Sequence, residues 1–172
     1  MTTTRASVVL VAVLLLQACS PTASDGGGAD GGLADGPRVP DRSMPTLDGG
    51  ELSLTELDGE PSVVNLWASW CPPCVAEMPD LEQVHLALGD QVRFIGINTQ
   101  DDIGQAEALA ARTGVTYELT LDPDGAMFRD LEVVSMPTTL LVDADGVIVH
   151  RHAGLLTEQQ LRDLLGEHLG VA

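Results

Sequence analysis

Apolar residues recur along this chain at two spacings, and the switches between them mark out its elements. "SVVNLWA" (62–68) and "VRFIGIN" (92–98) are short apolar runs rich in β-branched residues, the pattern of strands buried on both faces. Between them, from Pro72 to about Leu88, Val75, Met78, Leu81, Val84 or His85, and Leu88 return at helical spacing. Asp101 or Asp102 is placed to cap a helix running to Arg112. "YELTLD" (117–122) predicts a further short strand, followed by a turn and a short helix near 126–131. "TTLLVDADGVIVHR" (138–151) sets two β-rich runs around Asp145-Gly146, a hairpin signal. Thr157 with Gln160 forms a capping box before Leu161, Leu164, Leu165 and His168. "MPTLDGGELSL" (44–54) predicts a separate hairpin near the start. The order β-α-β-α-β, then hairpin and helix, predicts an α/β domain over 38–172: a central mixed sheet flanked by helices, with an N-terminal β-hairpin extension.

The first part of the chain follows neither period. Arg5 precedes an apolar run at 8–16, far shorter than the roughly 20 residues a spanning helix needs. That run fits the core of a secretory signal. It ends in "LQAC" (16–19), which resembles the lipobox of bacterial lipoproteins. In that motif the cysteine sulfur takes a diacylglyceryl group and the chain is cut just before it. The expectation is a signal peptide at 1–18 and a lipidated Cys19. A flexible tether rich in glycine, alanine and aspartate follows to residue 37. The domain would then be exported and lipid-anchored, on the extracytoplasmic side of its membrane.

Charge excludes one class of function. The net charge is −18, with no lysine and 8 arginines, so nucleic acid and anionic headgroups would repel the chain. A composition of 44% hydrophobic and 3% aromatic residues is ordinary for an α/β domain.

Three cysteines in an exported chain leave an odd thiol. A lipidated Cys19 would leave the pair Cys71 and Cys74 where disulfides persist. Three readings of "WCPPC" are open. A structural zinc site needs four ligands, against one C-x-x-C and scattered His85, His150, His152 and His168. A purely structural staple would close a tiny loop and remove little chain entropy. The redox reading has more chemistry behind it. Cys71 falls at the start of the predicted helix, where free N–H groups and peptide dipoles favour a thiolate, and a second thiol one turn on can resolve a mixed disulfide. Pro72 and Pro73 suit the first helical turn but remove two donors near Cys71. The Cys74 N–H is the obvious donor left, which favours a moderate pKa depression and a reductant.

"VVNLWASWCPPCVAEMP" (63–79) together with "VSMPTTLLVDADG" (134–146) resembles the thioredoxin superfamily, and within it the exported TlpA/ResA/CcmG (DsbE)-type thiol–disulfide oxidoreductases. The resemblance runs from about Met44 to the C-terminus. It implies a thioredoxin-like fold with Cys71 as exposed nucleophile, Cys74 as buried resolving thiol and a redox-active disulfide between them. It also implies a cis bond at Met136-Pro137, with the Met136 backbone offered to an extended substrate segment. Glu77 matches an acid of the family and is a candidate proton shuttle; the alternative is a solvated helix residue. Trp70 and Pro72 belong to the expected substrate-binding surface, whereas Trp67 and Met78 read as core and Pro79 as a helix kink. Asn65 stands where cytoplasmic thioredoxins bury an aspartate, and an amide cannot carry that proton. The cytochrome c maturation branch often has Glu after its cis proline, where this chain has Thr138, although "RHAG" (151–154) looks like that branch.

The expected activity is therefore disulfide reduction in exported proteins, apocytochrome c being one candidate. It needs no cofactor and no metal, acts as a monomer, and requires a membrane thiol protein as electron donor. The same site run backwards would form disulfides. A peroxidase on the same fold, or a copper-binding protein using sulfur and histidine, are rivals that hydrogen peroxide kinetics and Cu(I) titration would separate.

Overall fold

A computed structural model describes residues 1–2, 36–57 and 59–172. The expected signal peptide after its first two residues, Cys19 and nearly all of the expected tether lie outside the described residues. Pro37, assigned to the tether from sequence, already accepts a hydrogen bond from the Ile148 N–H at 2.9 Å. No helix among the described residues is long and apolar enough to cross a membrane.

A short hairpin of β1 (Ser43–Pro45) and β2 (Glu51–Ser53) leads through a 3-10 turn, Leu54–Leu57, into β3 (Ser62–Trp67). The chain continues through α1 (Pro72–Leu88), β4 (Arg93–Thr99), α2 (Ile103–Thr113), β5 (Glu118–Asp122) and α3 (Ala126–Asp130). It closes with β6 (Thr138–Val142), β7 (Ile148–Ala153) and α4 (Glu158–Leu169). The main sheet has the order β5-β4-β3-β6-β7. β3, β4 and β5 run parallel, while β6 lies antiparallel to both β3 and β7.

The apolar pattern sorts directly onto the two faces. Val63 and Trp67 of β3 pack with Met78, Leu81 and Val84 of α1, Leu109 of α2, and Leu161 and Leu165 of α4. Val64 and Leu66, one residue out of phase, pack instead with Leu54, Met127 and Leu131, and with Met44 and Leu52 of the hairpin. β3 is consequently buried at every position. Burying a side chain such as Leu81 fully stabilises by about 1.5–3 kcal/mol, and Leu81→Ala would cost about 2–5 kcal/mol once the cavity is counted. Gly96 in β4 leaves room for this packing: a Cβ there would lie 2.6 Å from Leu119 Cδ2 and 3.0 Å from Trp67 Nε1.

Topology decides where chemistry can sit. Progress through the sheet runs one way from β3 to β5 and then jumps across to β6, so the loop after β3 opens at a topological switch point. Because β6 is antiparallel, its first residue pairs with the end of β3, Leu66 opposite Thr138. The parallel pair β3–β4 ends with Trp67 opposite Asn98. Three loops, at 68–71, 100–102 and 134–137, therefore meet at one end of the sheet.

Candidate active site

Cys71 caps α1 from an extended conformation (φ −99°, ψ 99°), and its sulfur accepts the Cys74 N–H at 3.3 Å. Pro72 and Pro73 occupy the first helical positions without losing a helical bond, since those N–H groups have no partner within the helix. The helix turn brings the two Cα atoms to 5.3 Å, and a Cys71–Cys74 disulfide joins them. Cys74 is fully buried, and Cys71 keeps 5% of its surface. The expected exposed nucleophile is therefore itself buried in the disulfide form, because the turn into α1 packs it into the core beside Cys74; it differs from its partner in lining an open cleft.

That cleft, of about 370 Å³, lies at the meeting of the three loops. Trp70, Cys71 and Pro72 line it from the β3–α1 loop, Val134 and Met136 from the loop before β6, and Phe128 and Gln100 contribute to the lining. The Met136-Pro137 bond is cis. Pro137 is buried, and its carbonyl accepts the Gly154 N–H at 2.9 Å. Trp70 is 57% exposed and Val134 92%, so two large apolar groups face solvent at the mouth. Trp67, four residues from Cys71, is fully buried, as is Met78; Pro79 is exposed within α1.

Glu77 is not a solvated helix residue. It lies three positions after Cys74, on the same face of α1, and has no exposed surface. Its carboxylate accepts the Asn65 amide at 2.8 Å and the Leu156 N–H at 3.0 Å. Burial pushes its pKa up to about 7, and those two donors only partly offset the effect. Asn65 gives its other amide hydrogen to Thr139 Oγ1 at 3.0 Å, the residue opposite it across the β3–β6 pair. A neutral amide thus occupies the middle of the sheet and presents a donor to an acid on the helix above. The carboxyl group near the pair comes from α1 and not from β3.

Sequence reasoning missed four contributors. Phe128 carried no pattern of its own, and Val134 was read only as part of the stretch that carries the resemblance. Gln100 and Asp101 fall in a loop read only for its capping residues, and Asp102 turns out to be the cap of α2, accepting the Gln105 N–H at 3.1 Å. A larger hollow of about 650 Å³ lies against α2 and β5, lined by Leu47, Glu107, Val115 and Tyr117 among others, with no cysteine in it.

The Redoxin family pattern matches residues 34–165. The chain belongs to the Redoxin family. The thiol:disulfide interchange protein DsbE of Allochromatium vinosum is 39% identical to it over 130 residues, covering 74% of this chain and 70% of that protein. The thioredoxin-like protein YneN of Bacillus subtilis is 32% identical over 137 residues, covering 78% and 80%. Among solved structures, a secreted Mycobacterium tuberculosis disulfide oxidoreductase homologous to Escherichia coli DsbE superposes with a TM-score of 0.65 at 28% identity. That match covers 76% of this chain and 96% of the other. This redoxin has the thioredoxin-like fold expected of it, with a mixed five-stranded sheet and the separate hairpin. It is a DsbE-like thiol–disulfide oxidoreductase whose cysteine pair is Cys71 and Cys74.

Proposed function

We propose that this oxidoreductase works as a disulfide reductase on exported proteins, tied to a membrane through a lipid on Cys19. The observation that carries the direction is the Cys71 sulfur's donor set. Among the described residues it accepts the Cys74 N–H at 3.3 Å, while the two positions between are prolines with no N–H to give. Strong oxidants of this fold owe their potential to a stabilised reduced form, and one neutral donor at that distance stabilises a thiolate modestly.

In the proposed cycle the Cys71 thiolate attacks a substrate disulfide, forming a mixed disulfide and releasing one substrate thiolate. Cys74 then loses its proton, attacks the Cys71 sulfur and releases the second substrate thiolate. Two electrons have passed to the substrate, its sulfurs take up two protons, and the Cys71–Cys74 disulfide remains. Glu77, with its pKa near 7, is matched to take the Cys74 proton at neutral pH and return it on re-reduction. The backbone at Met136 would pair with an extended substrate segment, with Trp70 and Pro72 lining the same cleft. Re-reduction requires a second dithiol protein, in keeping with a membrane electron donor. Apocytochrome c is one candidate substrate, in line with the DsbE likeness and the "RHAG" segment. The N-terminal apolar run and "LQAC" support export and anchoring at 1–19, with the stretch to residue 37 as tether.

The test is trapping. In the Cys74→Ser variant the mixed disulfide cannot be resolved, so reduced protein incubated with an extract of exported proteins should accumulate covalent adducts through Cys71. Adducts that form equally well with the Cys71→Ser variant would remove the assigned roles. Metabolic labelling with a fatty acid should mark the whole chain and not its Cys19→Ser variant.

A further inference from the structure

Asp101 was a candidate helix cap, but the structure gives it other work. One carboxylate oxygen accepts the Ser69 N–H at 2.5 Å and the Asn98 amide at 2.9 Å. The other accepts the Ser69 hydroxyl at 2.7 Å and the Asp102 N–H at 2.9 Å. Burial pushes this carboxyl up, but the donors from Asn98, Ser69 and Asp102 outweigh it and hold its pKa below the usual aspartate value. It is thus a fixed negative charge that grips the backbone and side chain of one residue, Ser69.

The neighbour of Asp101 grips the neighbour of Ser69. The Gln100 carbonyl accepts the Trp70 indole N–H at 3.1 Å. Gln100 sits at φ 48°, in the left-handed region that non-glycine residues seldom occupy. Its N–H is held by the Asp122 carbonyl at 3.0 Å. Its side chain lies over Gly125, where an added Cβ would come within 2.9 Å of the Gln100 side chain. Trp70 itself is more than half exposed and forms a side of the disulfide cleft. An exposed indole on a loop would ordinarily sample several rotamers; this one is bonded at its nitrogen and anchored at the preceding residue. The turn into the helix has its own closing bond, from the Cys71 N–H to the Ala68 carbonyl at 3.2 Å. The Asp101 contacts are therefore additional to what brings Cys71 to the helix start.

We infer that Asp101 is a positioning residue for substrate recognition: by clamping Ser69 it fixes the Trp70 side of the cleft against which the chain flanking a substrate disulfide is held. It acts on binding and not on the sulfur chemistry. A misplaced binding wall weakens recognition of a large substrate, whereas a small disulfide that never reaches the wall is unaffected.

Steady-state kinetics of Asp101→Asn in the full chain, with dithiothreitol as electron donor and its direct reaction subtracted, test this with two substrates, a short synthetic peptide cyclised by a disulfide flanked by leucines and hydroxyethyl disulfide. For the peptide KM should rise about tenfold with kcat within about twofold. Turnover of hydroxyethyl disulfide and the Cys71–Cys74 potential should match the unaltered protein. Acrylamide quenching of tryptophan fluorescence should also rise, and since Trp67 is buried it reports Trp70. If Asp101→Asn fails to fold, Ser69→Ala, which leaves the backbone contact, should raise the peptide KM less, and Ser69→Thr should restore it. A loss shared equally by both disulfides, a shifted potential, or an unchanged peptide KM in a folded variant would each overturn the assignment.

Discussion

Helix α1 buries two carboxylates, and its two ends use them differently. Glu77, one turn past Cys74, is held by one amide and one backbone N–H from two separate elements, and its pKa rises to about 7. Glu82, further along and 6% exposed, accepts both donors of a single residue, the Thr116 N–H at 2.8 Å and its hydroxyl at 2.7 Å. That second acid latches the segment before β5 onto the helix, away from the sulfurs. One helix therefore carries an acid with a raised pKa in its first half, the proton-exchanging group of the proposed cycle, and a structural tie in its second half.

The comparison is broken most completely at the sulfur. Cys71→Ser should reduce exchange with a peptide disulfide to background. The melting free energy of the reduced protein should stay within about 1 kcal/mol, because the swap is nearly isosteric.

The pH dependence of stability separates the two acids next. Glu77 has a folded pKa of about 7 against an ordinary 4.5, so between these values the folded protein keeps a proton that the unfolded chain has lost. Its contribution is fully present below pH 4.5 and disappears as pH rises to 7. Urea unfolding of the oxidised protein should thus lose up to about 3 kcal/mol across that window, and Glu77→Gln should flatten that part of the slope. The same variant should slow exchange at pH 7 by about 10²-fold and remove the inflection near pH 7 from its rate profile.

Glu82→Ala supplies the opposite signature. Leaving the Thr116 donors unpaired in a part-buried site should cost about 1–3 kcal/mol of stability, with exchange kinetics unchanged within about twofold. A large kinetic loss there would end the division of labour along α1.

Much of this arrangement is legible locally. Two prolines and the apolar spacing place α1 at Pro72–Leu88, and the Thr157–Gln160 capping box opens α4 with both of its hydrogen bonds formed. Asp145-Gly146 marks the β6–β7 turn, where Gly146 has φ 76°. These signals work because each is satisfied within a few residues of itself. The burial of Glu77 was not legible, because its donors come from Asn65 on β3 and from Leu156 before α4. Asp101 and Asp102 are indistinguishable as caps in sequence. Only the parallel register, Trp67 opposite Asn98, brings Asp101 to Ser69 and leaves Asp102 to the helix. The site depends on contacts between residues distant in sequence, whereas the elements that carry it depend on near ones.

The most direct test of the central claim is the reduction potential of the Cys71–Cys74 couple, measured by equilibrating the protein in thiol/disulfide buffers. A reductase held by one neutral donor at Cys71 predicts a value at or below roughly −270 mV, the range of thioredoxin. A value near −120 mV, that of the strong oxidant DsbA, would contradict it and make this an enzyme that forms disulfides.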